Sequence, residues 1–192
     1  LSEAGQAPRR TVMFLAVTGE EKGLLGSASF AANPATRLDR IAGVVNLDMP
    51  ILLYDFTDIV AFGAEHSTLG PLVAQAARTE GLTVSPDPMP EEGLFTRSDH
   101  YSFVERGVPS VFLATGHANG GAEAWAGFLG GNYHGPGDDL SQAIQWDAAA
   151  KFARVNTAIA RAIANADERP LWYEGDVFGD RFAPNAAKAP AP

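Results

Sequence analysis

Short, almost uninterrupted apolar segments alternate with polar turns and helical patterns along this chain. The four segments that read as strands are TVMFLAV, IAGVVNL, DIVAF and PSVFLA, at residues 11–17, 41–47, 58–62 and 109–114. A strand that is apolar at nearly every position is buried on both faces, so helices must cover both sides of its sheet. The order of elements therefore predicts an α/β fold, a three-layer sandwich around a mainly parallel, mixed sheet.

Helical segments fall between and after these strands. They are predicted at residues 24–33, 69–80, 98–106 and 147–166. The glycine-rich stretch 115–139 shows no periodicity and predicts a long loop, which inside a compact domain is usually functional or disordered. From residue 181 the chain is rich in Ala and Pro and poor in large apolar side chains, so 181–192 is predicted to be a disordered tail. Residues 1–180 are expected to belong to one domain.

Charge and composition exclude several classes of partner. The chain has 14 Lys+Arg, 23 Asp+Glu and a net charge of -9, without the basic cluster that nucleic acid or an anionic membrane requires. No apolar run is long enough for membrane insertion, and residues 1–10 lack the regions of a signal peptide. There is no cysteine, so a zinc ion would have to be held by His, Asp and Glu.

Carboxylates stand where two of the predicted strands end. Glu20 and Glu21 follow the first strand, and Asp48 follows the second. Ligands of α/β sheets bind beyond the carboxyl ends of strands, although a single acidic residue there is commonly a helix cap or a solvated turn. Two adjacent glutamates repel each other unless a cation neutralises one of them. A divalent metal would use one as a ligand and leave the other as a base.

One histidine is well placed to join these carboxylates. His134 stands in NYHGPGDDL, within the glycine-rich stretch that follows the PSVFLA strand. Its ring could reach the same edge of the sheet, and Asp138 or Asp139 could accept a hydrogen bond from its second nitrogen. The alternative is an ordinary histidine in a surface loop.

Four motifs in this order resemble the di-zinc exopeptidases, which include secreted bacterial leucyl aminopeptidases, glutamate carboxypeptidase II and glutaminyl cyclase. The motifs are VTGEEKGLLGS at 17–27, VVNLDM at 44–49, RSDHYSFVERGVPSVFL at 97–113 and YHGPGDDL at 133–140. The resemblance covers residues 11–166. It implies a zinc-exopeptidase-like fold of which residues 1–180 form the C-terminal portion, and a periplasmic or secreted protein.

The resemblance also assigns roles to individual residues. Glu20 would be the general base, Glu21 and His134 would bind one zinc ion, and Asp48 would bind the other. A further set, Asp99, His100 and Tyr133, would lie near the substrate. For Asp99 and His100 the alternative is hydrogen bonding at the start of a helix, and for Tyr133 it is burial as a core aromatic.

The family pattern also requires a histidine and a bridging aspartate upstream of the GEE motif, and this sequence does not supply them. The fold is therefore expected to lack its N-terminal part, and the chain alone is expected to bind zinc weakly. An N-terminal segment of the same protein, or an oligomer contact, would complete the site and cover an unpaired sheet edge.

The function expected from these residues is hydrolysis of N-terminal residues from peptides by a zinc-dependent aminopeptidase. A carboxypeptidase or a glutaminyl cyclase on the same fold is an alternative, as is a non-catalytic binding module or an inactive fragment. A carboxypeptidase needs basic side chains to hold a free carboxylate, and near the motifs there are only Arg97 and Arg106. This favours the aminopeptidase.

Overall fold

Four strands form one mixed sheet in the structure, a computed structural model that describes residues 7–192. The strands are β1 (Val44–Leu47), β2 (Asp58–Phe62), β3 (Thr83–Ser85) and β4 (Ser110–Thr115), in the spatial order β1-β4-β2-β3. β1 runs parallel to β4 and β2 parallel to β3, whereas β2 and β4 are antiparallel. The predicted α/β fold with a mixed sheet is confirmed.

Six helices accompany the sheet among the described residues. They are α1 (Leu25–Ala32), α2 (Leu69–Thr79), α3 (Tyr101–Val104), α4 (Gly121–Leu129), α5 (Trp146–Asn165) and α6 (Val177–Phe182). The apolar stripe of α5 is buried, as the periodicity of the sequence predicts, and α5 packs against α2. Each fully buried Val, Ile or Phe of this stripe contributes about 1.5–3 kcal/mol. A second, smaller cluster lies around Phe103, where α1 meets α3.

The interior of the sheet is built by β2 and β4, and β1 lies at one edge. Every residue of β2 and of β4 is buried, whereas β1 is half-buried and its last residue, Leu47, is exposed. Because β1 and β4 are parallel, their carboxyl ends meet at the same edge of the sheet. Asp48 follows β1 at this edge.

The predicted strand at residues 11–17 is not formed. Met13, Phe14 and Leu15 are exposed, and Phe14 reaches 87%. The backbone of this region is held at its ends, where Arg10 N donates to Ala164 O and Gly26 N donates to Thr18 O. A strand needs a hydrogen-bonding neighbour, and no strand within residues 7–192 lies beside this segment. The outer edge of β1 is likewise without a partner strand in that part of the chain.

The predicted loop at 115–139 contains a helix, α4. Trp125 and Phe128 of α4 are buried in the main core, and Trp125 Nε1 donates to Thr115 O at 3.0 Å. These two aromatic side chains stabilise a helix whose glycine content conceals it in the sequence.

Residues 181–192 also differ from the prediction of disorder. Ala189 pairs with the backbone around Tyr173, since Glu174 N donates to Ala189 O at 2.8 Å and Ala189 N donates to Trp172 O at 2.9 Å. Lys188 forms an ion pair with Asp180. The tail is poor in apolar side chains, and its order comes from these contacts with the residues that precede it.

None of the helices within residues 7–192 is both long and apolar enough to cross a membrane.

Candidate active site

Glu20 and Glu21 lie in one turn of 3₁₀ helix, Glu20–Lys22, between two glycines in the left-handed region. Gly19 has φ 69° and Gly23 has φ 98°, values that other residues rarely adopt. These glycines let the chain leave the 11–17 segment, turn sharply and enter α1. The turn thereby holds two adjacent carboxylates at one place in the fold.

His134 meets Glu21 although 113 residues separate them in sequence. The Nε2 atom of His134 lies 2.8 Å from Glu21 Oε1, and both side chains remain about half exposed. The ring of His134 stacks on Tyr133 at 3.7 Å between centroids, which restricts its orientation. His134 itself has φ 57°, an uncommon conformation for a non-glycine residue and one that is concentrated at functional sites.

Asp48 is held by a side chain that the sequence reasoning did not single out. Ser98 Oγ donates to Asp48 Oδ2 at 2.6 Å, and Asn46 Nδ2 donates to Ser98 Oγ at 2.8 Å. Ser98 is buried and Asn46 and Asp48 are partly buried, so the Asn46–Ser98–Asp48 relay is partly shielded from water and orients the carboxylate. Asn46 lies in the motif VVNLDM and Ser98 in the motif RSDHYSFVERGVPSVFL. Their position in these motifs was the sequence signal that could have identified them.

Glu20 lies among the other acidic groups of the site. Partial burial raises the pKa of Glu20, and the negative charges of Asp48, Glu21 and Asp99 raise it further, while His134 acts in the opposite direction. The structure therefore brings the predicted base and the three predicted ligands into one electrostatic neighbourhood. Such a concentration of carboxylates attracts cations.

Tyr133 shares this neighbourhood. Burial raises the pKa of the Tyr133 phenol, and the charge of Glu21 adds to the effect, whereas Arg97 opposes it. Tyr133 also packs against Phe128 of α4, with ring centroids 5.7 Å apart. Arg97 is paired with Glu92 at 3.0 Å on the surface, where both side chains are more than half exposed.

His100 lies beneath the site rather than in it. Its ring is fully buried between Phe95 and Phe112, at centroid distances of 5.1 and 5.5 Å. Neither ring nitrogen has a hydrogen-bond partner of good geometry among residues 7–192, and the same holds for Asp99 Oδ1. A ring without exposed surface does not touch a substrate, and the His100 side chain makes no hydrogen bond at the start of α3 either, so His100 packs as a buried ring between Phe95 and Phe112.

Acidification is expected to weaken the fold through His100. Burial lowers the pKa of His100 from 6.5 to about 4, opposed in part by the Phe95 backbone. Between these values the unfolded chain binds a proton that the folded chain does not. The free energy of unfolding should therefore fall by about 3 kcal/mol from pH 6.5 to pH 4 because of this group alone. Urea unfolding of wild type and His100→Leu across this range measures the effect, and equal pH dependence in both would contradict it.

The donor set fits part of a zinc site. Glu21 and His134 supply a carboxylate and an imidazole within hydrogen-bond distance of each other, and Asp48 supplies a second oriented carboxylate. Zinc sites in proteins use three or four protein ligands of these types when sulfur is absent. Within residues 7–192 no three such side chains converge closely enough to hold a metal ion.

An α/β sandwich with carboxylates and a histidine gathered beyond a parallel strand is the arrangement of the zinc exopeptidase class that the motifs resemble. Residues 1–160 match the profile of Peptidase family M28, and the chain belongs to that family.

Two relatives are themselves described as aminopeptidases. The chain is 32% identical over 155 residues to a probable leucine aminopeptidase 2 of Aspergillus oryzae, covering 69% of this chain and 29% of that protein. Its fold is similar to that of an aminopeptidase from Aneurinibacillus sp. strain AM-1, with a TM-score of 0.55 and 24% identity, over 80% of this chain and 33% of the other. The chain thus spans about a third of the length of each relative.

Proposed function

We propose that the complete protein is a zinc-dependent aminopeptidase that removes N-terminal residues from peptides. The observation that carries this proposal is the 2.8 Å contact between His134 Nε2 and Glu21 Oε1, beside Glu20. Membership of a peptidase family and two relatives described as aminopeptidases support it.

In this proposal Glu21 and His134 hold one zinc ion and Asp48 holds the other. When bound, zinc supplies polarisation of the scissile carbonyl and a lowered pKa for the attacking water. The Ser98 hydroxyl keeps one oxygen of Asp48 occupied, which leaves the other oxygen directed for coordination.

Glu20 serves as the general base. Its carboxylate takes a proton from the attacking water and later delivers that proton to the leaving amine. A carboxyl whose pKa is raised by burial and by acidic neighbours is a stronger base than an ordinary glutamate, which suits both transfers. The phenol of Tyr133 is a donor in the same neighbourhood and can steady the oxyanion of the substrate.

The charge of the site favours the amino end of a peptide over its carboxyl end. The four carboxylates of Glu20, Glu21, Asp48 and Asp99 would balance the charge of two bound zinc ions, so the site would keep no excess positive charge to hold a free carboxylate. Recognition of a free carboxylate would require an available arginine or lysine. The arginine near Tyr133, Arg97, is already engaged by Glu92.

The remaining zinc ligands belong, in this proposal, to a segment outside residues 7–192 or to another subunit. Two features support this. First, no three candidate ligands converge within residues 7–192. Second, the 11–17 segment has exposed apolar side chains, and the outer edge of β1 has no partner strand in that range. A segment placed there would cover these surfaces and bring its donors near Glu21 and Asp48.

Calorimetry with zinc, combined with hydrolysis of leucyl-p-nitroanilide, tests the proposal. The complete protein should bind two zinc ions per active site and release p-nitroaniline in a chelator-sensitive manner. Residues 1–192 alone should bind zinc at least about tenfold more weakly, because each metal lacks ligands. Submicromolar binding of two zinc ions by residues 1–192 would overturn the proposal that another segment or subunit supplies the remaining ligands. Absence of turnover by the complete protein would overturn the proposed aminopeptidase activity.

A further inference from the structure

The residues that follow α5 lie outside the part of the chain that matches the peptidase family. The match ends at residue 160, whereas residues 171–189, which include α6, lie beyond it and pack against the main core. We call residues 171–189 the C-terminal clamp.

The clamp is anchored through its backbone and one tryptophan. Residues 66–68 pair with it, since Thr68 N donates to Leu171 O and Tyr173 N donates to His66 O. Trp172 is buried and its Nε1 donates to Gly107 O at 2.9 Å, just after α3. These anchors place α6 against the segment that leads into the candidate active site.

A contact between a histidine and a carboxylate sets the start of α6. His66 Nδ1 lies 2.7 Å from Asp176 Oδ2, while Asp176 Oδ1 accepts from the backbone N–H groups of Phe178 and Gly179. One carboxylate thus caps the helix and binds the histidine. This arrangement fixes the position of Phe178 in the first turn of α6.

Phe178 lies against Phe95, which belongs to the 93–100 segment. The two rings are edge to face, with centroids 5.0 Å apart. The centroid of the His66 ring lies 5.0 Å from that of Phe95 and 4.8 Å from that of Phe178. On its other side Phe95 fills the space above Gly63, where a Cβ atom would come within 2.2 Å of its ring. Phe95 is therefore enclosed between the sheet and the clamp.

Phe95 stands three residues before Ser98, the donor that orients Asp48. The intervening turn, Leu94–Thr96, is a single 3₁₀ turn, and its exposed neighbour Arg97 is held by a surface contact to Glu92. Apart from Ser98, the buried side chains of this segment are Phe95 and His100. The enclosure of Phe95 is thus a principal restraint on the position of Ser98.

We propose that Phe178 is a positioning residue for the active site, acting through Phe95 to hold Ser98 against Asp48. The clamp makes the 93–100 segment rigid, and without Phe178 this segment opens locally while the rest of the fold persists. The effect on catalysis rests on the proposed function, but the effect on the segment does not.

Trypsin cleavage after Arg97 in the complete protein measures local opening, because the following residue, Ser98, is buried in the closed segment. Phe178→Ala is compared with Phe182→Ala, a change in the same helix whose ring contacts Tyr101 and not Phe95. Loss of the Phe95 contact should accelerate cleavage after Arg97 by about tenfold in Phe178→Ala relative to Phe182→Ala. Phe178→Leu, which keeps much of the side-chain volume, should show an intermediate rate of cleavage after Arg97. It replaces Phe178→Ala in the comparison if the alanine variant does not fold.

Turnover separates positioning from general destabilisation. With the proposed activity present, Phe178→Ala should lower kcat several-fold at a temperature where it is fully folded, with KM little changed. Equal cleavage after Arg97 in Phe178→Ala and Phe182→Ala would overturn the proposal. If wild type shows no peptidase activity while Phe178→Ala still accelerates cleavage after Arg97, the aminopeptidase assignment fails and the restraint on the 93–100 segment stands.

Discussion

Replacing Glu20 by glutamine is expected to lower kcat for leucyl-p-nitroanilide by about 10²- to 10⁴-fold, the usual contribution of a general base. Glutamine has nearly the same size but cannot accept the proton of the attacking water. It also removes one negative charge from a site that holds Glu21, Asp48 and Asp99, so the fold should not be weakened. KM should change little, because Glu20 is not assigned to substrate binding.

The measurement is steady-state hydrolysis by the complete protein, with zinc content determined for each variant. Glu168→Gln is the matched control, since Glu168 is exposed near the end of α5 and outside the site. Equal zinc content with unaffected turnover in Glu20→Gln would show that the proton is taken by another group.

Replacing Trp172 by alanine is expected to lower the free energy of unfolding by about 3–5 kcal/mol. Trp172 is 2% exposed, donates to Gly107 O and packs directly on Gly179 of α6. Its loss leaves a cavity and an acceptor without its donor, where the clamp meets the turn after α3.

Urea unfolding of Trp172→Ala beside Trp146→Ala checks this result. Trp146 is 68% exposed at the start of α5, so the same chemical change there should cost no more than about 0.5 kcal/mol. Similar losses in the two variants would mean that the C-terminal clamp is not docked as the structure has it.

The local pattern of apolar residues was sufficient to predict those elements whose structure is determined by burial alone. The uninterrupted apolar residues of β2 and β4 predicted strands buried on both faces, and the stripe of α5 predicted the face that packs on the core. The rule that ligands bind beyond the carboxyl ends of strands pointed to Asp48, which follows β1. These inferences need no knowledge of distant contacts.

The sequence pattern gave wrong predictions where contacts with other parts of the chain determine the structure. Residues 11–17 have the composition of a strand, but a strand also requires a neighbour. The helix α4 depends on the burial of Trp125 and Phe128 in the main core, and the order of residues 181–192 depends on contacts with residues 172–180. The role of Ser98 was hidden for the same reason, because Asp48 lies 50 residues before it.

The separation of 113 positions between Glu21 and His134 also sets the order in which the two residues are synthesised. At translation rates of 5–20 residues per second, His134 is polymerised roughly 6–23 s after Glu21. During that interval the nascent chain carries the carboxylates without the imidazole that meets them. The pair of Glu21 and His134 can therefore form only after His134 has been synthesised, well after the carboxylates have emerged from the ribosome.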